Sequence, residues 1–153
     1  MGIMEKQKQY KIKGAITKIE SILSDLESYS RFHPLIQAAH PINNNDKINK
    51  SYNIIERPFL WLPIKVKYKA KVMSSDHTII YKITGLPLTT ATIKYQLQQQ
   101  VGEPTIIDFH LSIDSKLLGK KILGYKMMKA QDELMAVLAQ EMNENCKSKT
   151  TPK

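Results

Sequence analysis

The chain of 153 residues has a single cysteine and no long apolar run. Cys146 alone cannot close an intramolecular bridge, so disulfides do not hold the fold, which suits a reducing, cytoplasmic setting. It sits in a polar C-terminal stretch without an evident base, so it does not read as a nucleophile. No apolar segment approaches the ~20 residues that a membrane-spanning helix needs. Met1 to Lys6 has no apolar signal core, and Lys6 stands where the myristoylation pattern requires Ser or Thr. Internal repeats and low-complexity tracts are absent too. Acidic residues are few: 14 Asp and Glu stand against 23 Lys and Arg, a net charge of +9. That excess points to nucleic acid, an anionic membrane surface or an anionic small molecule, or only to lysines that solvate the outside of a sheet.

What is present is enough for one domain. Hydrophobic residues make up 42% of the chain, and a chain of this length buries about 68–70% of its unfolded surface. Residues 1–145 read as a single unit and residues 146–153 as a disordered, Lys- and Thr-rich tail.

The most informative segment is Ile64 to Val72, where apolar and basic residues alternate without a fault. Successive strand side chains point to opposite faces. Ile64, Val66, Tyr68, Ala70 and Val72 therefore share a dry face, and Lys65, Lys67, Lys69 and Lys71 a wet one. Further strands are predicted at 10–16, 51–56, 78–84, 92–98 and 105–114. With short turns at 74–77, 85–88 and 101–104, the strands after the first imply an antiparallel meander of about five to six strands. Inward sets are Tyr52 and Ile54; Ile79, Tyr81 and Ile83; Ile93, Tyr95 and Leu97; and Ile107, Phe109, Leu111 and Ile113.

Two helices are predicted. Thr17-Lys18-Ile19-Glu20 has the form of a capping box. Ile19, Ile22, Leu23, Leu26 and Tyr29 follow at helical spacing, and the helix stops before Pro34. The second runs from about Lys116 to Asn143, with a stripe of Ile122, Leu123, Met127, Ala130, Leu134 and Leu138, and with Met128, Met135 and Met142 beside it. Gly119 and Gly124 make its start the weakest part. At about 28 residues and 40 Å, only this helix can cover the dry face of the sheet. The expected α+β architecture is a curved antiparallel sheet wrapped around it.

That layout resembles the helix-grip fold of the START-like superfamily, which includes polyketide cyclases, lipid-transfer domains and plant proteins of the birch-pollen-allergen type. The likeness lies in element order from about Lys6 to Asn143, in the Ile16-to-Leu26 helix after the first strand, in the Phe32-His33-Pro34 stop and in the terminal helix. It implies a hydrophobic cavity between sheet and helix that holds a lipid, sterol, polyketide or similar molecule. No branch-specific motif carries over a catalytic residue, and no cofactor is indicated.

On this reading Val66, Tyr68, Tyr81, Ile83, Tyr95, Leu97, Phe109 and Leu111 supply the sheet wall of a ligand cavity. Met127, Met128, Leu134 and Met135 supply the helix wall. Buried phenols need hydrogen-bond partners, and Met repacks around varied ligands, so both suit an apolar site with a few donors. Alternate meander loops emerge at one end. This gathers Phe59, Leu60, Trp61, Leu62, Leu86, Leu88, Leu117 and Leu118 with Lys120 and Lys121 into a cavity mouth. Such a mouth suits an anionic membrane or a ligand with an anionic head group, unless the loops fold inward or contact a partner.

An enzyme of cyclase or dehydratase type is the alternative, with Tyr81, Tyr95 or Glu56 moving a proton. Glu56 reads first as a solvated strand end. A third reading, a partner-binding module using the aromatic loop, implies a small or collapsed cavity. Asp108, His110 and Ser112 lie on the wet face without oxyanion donors and do not form a triad. His33, His40 and His77 lack metal-ligand spacing. The Lys stripe has no out-facing aromatics for base stacking, which argues against nucleic acid.

Overall fold

In the computed structural model, which describes residues 3–42, 49–57, 65–116 and 120–150, the first strand begins far earlier than its apolar alternation. Strand β1 (Ile3–Ile12) pairs with β7 (Thr105–Ser115) over ten residues. Its polar half, Glu5 to Gln9, is tolerated because β1 is an edge strand. Lys8 on its inner side donates to Asp132 at 2.7 Å.

The helical stretch that follows is two helices, α1 (Ile16–Ser24) and α2 (Leu26–Phe32). The break falls at Asp25, whose carboxylate accepts from the Glu27 N–H and the Ser28 hydroxyl, both at 3.1 Å, and so starts a new helix. The predicted capping box is not made. The N-cap is Ala15, Thr17 lies inside α1, and Glu20 instead meets His77 Nδ1 at 2.7 Å. A distant side chain caps α1: Gln99 Oε1 accepts from Ile16 N–H at 3.1 Å, while Gln99 Nε2 donates to the Gly14 and Glu103 carbonyls.

Six strands then form the meander: β2 (Ile36–Ile42), β3 (Asn49–Glu56), β4 (Val66–Ser75), β5 (Thr78–Leu86), β6 (Thr89–Gln98) and β7. With β1 they make one antiparallel sheet in the order β1-β7-β6-β5-β4-β3-β2. β2 has no apolar alternation to announce it. It carries Pro41, which lacks an N–H and is accommodated on an edge strand. The β4–β5 turn places Asp76 and His77 both at positive φ, as the two-residue hairpin twist demands. The lysine stripe is outside as predicted: Lys65, Lys67, Lys69 and Lys71 are exposed, and Ala70 and Val72 are buried.

Helix α3 (Lys120–Thr150) packs on β1, β7 and α2. Ala130, Leu134, Leu138 and Met142 are buried along it, with Met135 beside them. Ile122 departs from the predicted stripe and is 63% exposed. At helical spacing it shares the outer face with the exposed Lys129 and Glu133 rather than the face of Leu123. Gly124 faces β1, where an added Cβ would meet the end of the flexible Met4 side chain. The curved sheet, the α1–α2 pair joining its two edge strands and the long C-terminal helix together make the helix-grip fold. No helix among the described residues is long and apolar enough to cross a membrane.

Candidate functional site

The space between sheet and α3 is not filled uniformly. A cavity of about 70 Å³ remains toward the end where β3 finishes, β4 begins and α3 starts. Ile54, Ala70, Tyr81, Ile83, Ile93 and Phe109 line it from the sheet, and Leu26, Tyr29, Ala130 and Gln131 from the helices, all of them buried. The half-buried His33, Leu35, Ile36, Glu56, Tyr68, Leu123, Lys126 and Met127 surround them.

Polar groups enter this lining at two places. At the first, Glu56 and Tyr68 lie diagonally across β3 and β4, because Ile54 pairs with Tyr68 and Glu56 with Val66. Both face inward, and the Tyr68 hydroxyl donates to Glu56 Oε2 at 2.5 Å. Glu56 is thus a cavity carboxyl and not a solvated strand end. Burial raises its pKa, and the Tyr68 hydrogen bond only partly opposes this. Tyr68 is itself pushed up by burial and then by the neighbouring carboxylate. Close by, His33 Nδ1 accepts from the Leu35 and Ile36 N–H groups at 3.2 and 3.3 Å, so its proton sits on Nε2. Burial pulls the imidazole down to about 4, which keeps it neutral.

The second polar place joins sheet to helix. Tyr95 donates to Gln131 Oε1 at 2.7 Å, and the Tyr29 and Tyr95 hydroxyls meet at 3.0 Å. Tyr29 also lies 3.5 Å from the same amide oxygen. The rings of Tyr29, Tyr81 and Tyr95 pack edge to face at 5.3–5.5 Å. The Tyr81 hydroxyl donates to the Leu23 carbonyl. Burial raises the pKa of all three phenols, so none releases a proton near neutral pH.

Of the residues assigned from sequence to the sheet wall, Tyr68, Tyr81, Ile83 and Phe109 border the cavity, as does Met127 from the helix wall. Val66, Tyr95, Leu97, Leu111, Met128, Leu134 and Met135 do not. Tyr95, Leu97, Leu111, Leu134 and Met135 are packed into solid core. On the sheet side α1 contributes to this filling: it lies against β4, β5 and β6 and brings Ile19 and Leu23 into the core, while Gln131 of α3 closes over Tyr95.

Sequence reasoning missed Tyr29 as a cavity residue, and also His33, Ile36, Ile54 and Gln131. Gln131 carried a usable signal. It stands four residues after Met127 and four before Met135, a polar residue inside an apolar stripe.

Phe59, Leu60, Trp61, Leu62, Leu117 and Leu118 lie outside the described residues, as does the Lys120 side chain. Leu86 packs against the core, Leu88 is 66% exposed, and Lys121 is exposed; none of the three borders the cavity. Leu88 O accepts from Lys116 N–H at 3.1 Å, so the β5–β6 hairpin and the approach to α3 do share one end. On the convex face Asp108 accepts from Gln9 and His110 approaches Glu5 at 3.8 Å, with no triad geometry.

No protein-family model matches the chain, and no curated protein matches it in sequence. Solved structures match it closely in shape. The Zhui aromatase/cyclase from Streptomyces sp. R1128 superposes with a TM-score of 0.83 over 99% of this chain and 100% of its own, at 7% identity. A START superfamily protein from Mycobacterium smegmatis has a TM-score of 0.70 over 92% and 97%, at 13% identity. The two-domain aromatase/cyclase BexL has a TM-score of 0.77 at 8% identity; the match covers 92% of this chain but only 50% of that one. At these identities the likeness establishes the START-like fold alone.

Proposed function

We propose that the chain binds a hydrophobic small molecule or lipid in the hollow between the sheet and α3. The observation that carries this reading is the apolar cavity itself, walled by buried side chains and touched by polar groups at two places. The structural likeness to aromatase/cyclases and to a START superfamily protein supports it. At about 70 Å³ the cavity is well below the ~300–1,000 Å³ of drug-sized ligand sites. A larger guest therefore enters by displacing wall side chains, and Met127 is the most adaptable of these.

A specific observation favours a second reading. Glu56 and Tyr68 form a short hydrogen-bonded pair, and the buried carboxyl has a raised pKa, as a general acid or base in a cyclase- or dehydratase-type enzyme would. Tyr81 and Tyr95, the other two candidates for proton transfer, have their hydroxyls engaged by Leu23 and Gln131.

Native mass spectrometry of protein purified without added ligand tests the binding reading. The expected result is a bound small molecule that extraction releases and identifies. With that molecule in hand, Glu56→Gln separates the two readings. A carrier changes affinity slightly, whereas an acid–base enzyme loses about 10²–10⁴ in rate. If nothing copurifies and no apolar probe binds, the reading fails in favour of a partner-binding module.

A further inference from the structure

Gln131 is 2% exposed and borders the cavity, yet its Nε2 has no hydrogen-bond partner among the described residues. Buried side-chain amides are ordinarily paired at both ends. The orientation of this one follows from the phenols around it. Tyr29 and Tyr95 each carry one hydroxyl hydrogen. Whether Tyr29 donates to Tyr95 and Tyr95 to the amide, or the reverse, one hydrogen must end on Gln131. Only the carbonyl oxygen accepts it. With the nitrogen turned to that place, the last phenol hydrogen would be left without an acceptor in the trio. The oxygen is therefore tethered to the tyrosines, and the nitrogen is left with two unused N–H donors. The phenols cannot take over the role of donor to a guest. Tyr81 gives its hydrogen to the Leu23 carbonyl and Tyr68 gives its own to Glu56.

We infer that Gln131 reads the guest: the ligand is an apolar molecule bearing an acceptor oxygen, of the ketone, quinone or ester class, and that oxygen accepts from Gln131 Nε2–H. The inference rests on the binding reading above and names the chemistry of its ligand. An acceptor on the guest completes the pairing of the amide, whereas a pure hydrocarbon of the same shape leaves it unpaired, and a site with an unpaired buried polar group rejects such an analogue. The apolar floor of Ile54, Ala70, Ile83, Ile93 and Phe109 holds the rest of the molecule without selecting among skeletons.

The test uses the intact chain and two probes that differ by one carbonyl, acetophenone and ethylbenzene, titrated by NMR. Acetophenone is expected to bind about tenfold more tightly, the worth of one hydrogen bond to a buried donor. In Gln131→Met that preference disappears while ethylbenzene binding persists. Because the variant also removes the acceptor of Tyr95, the wild-type side-chain amide resonances of Gln131 provide a second readout. They move on adding acetophenone and stay in place with ethylbenzene. Equal affinities, a preference that survives in Gln131→Met, or unmoved amide resonances at saturation overturn the inference while leaving the cavity reading intact. If neither probe binds, the cavity reading itself falls, and this inference with it.

Discussion

The two ends of the space under α3 are built differently. At the far end Ile12, Ile19, Leu23, Ile107, Leu138 and Met142 are almost wholly buried, and the packing is tight enough that a Cβ on Gly14 would lie 3.1 Å from Met142. At the near end α2, β3, β4 and the start of α3 leave a hollow, and Glu56, Tyr68, His33 and Gln131 reach it. The far end is what a stable fold needs. The near end has buried polar groups with incomplete pairing, which burden stability and are retained where they serve a site. The contrast separates the part of the chain that holds the grip from the part that has something to hold.

Truncations draw the contrast most sharply. Ile19→Ala in the packed end should cost about 3 kcal/mol, because it removes a fully buried side chain and opens a new void. Met127→Ala, at a half-buried side chain, should cost clearly less, about 1–2 kcal/mol. Urea unfolding with unchanged slopes measures both, and equal losses would erase the distinction.

Acid probes the near end next. His33 titrates at about 4 in the fold against an ordinary 6.5, so the folded state binds fewer protons than the unfolded chain between these values. Its contribution is complete above pH 6.5 and is lost as pH falls through 4, by about 3 kcal/mol. His33→Asn keeps an acceptor for the Leu35 and Ile36 N–H groups and should flatten that slope.

Glu56 acts with the opposite sign. Its raised folded pKa means that the native state keeps a proton which the unfolded chain releases near 4.5, so stability falls as pH rises through the folded value. Glu56→Gln, which can still accept from Tyr68, should remove that fall and be relatively more stable at pH 7 than at pH 4.

The smallest effect belongs to the rim pair Lys8–Asp132, both 46% exposed at 2.7 Å. Asp132→Asn should cost under about 1 kcal/mol, and less still in high salt.

Much of the fold was legible because strands and helices with one dry face must share it. The faultless alternation from Val66 to Val72 and the inward set of β7 required a sheet with one covered side. The long stripe through Ala130, Leu134 and Leu138 required a helix to cover it. Edge strands were less legible: half of β1 and all of β2 are not buried enough to carry a pattern. The division between α1 and α2 hinged on one carboxylate, Asp25, inside a continuous apolar periodicity.

The candidate site was legible only in part. Alternation shows which residues point inward, but not how deep the opposite wall lies. Tyr81 and Tyr95 share a face of the sheet, yet only Tyr81 borders the hollow, since Gln131 closes over Tyr95. The cap on His33 Nδ1 and the phenol tether on Gln131 join positions distant in sequence or hidden in a turn, and no local spacing encodes them.

Methyl-resolved NMR of the intact chain with ethylbenzene as an apolar probe tests the central claim most directly. A guest in the hollow should perturb the methyls of Ala70, Ile83 and Ala130 and leave Ile12, Ile19 and Leu138 unmoved. Saturating probe with no perturbation at Ala70, Ile83 and Ala130, or perturbation centred on the packed end, would contradict the account.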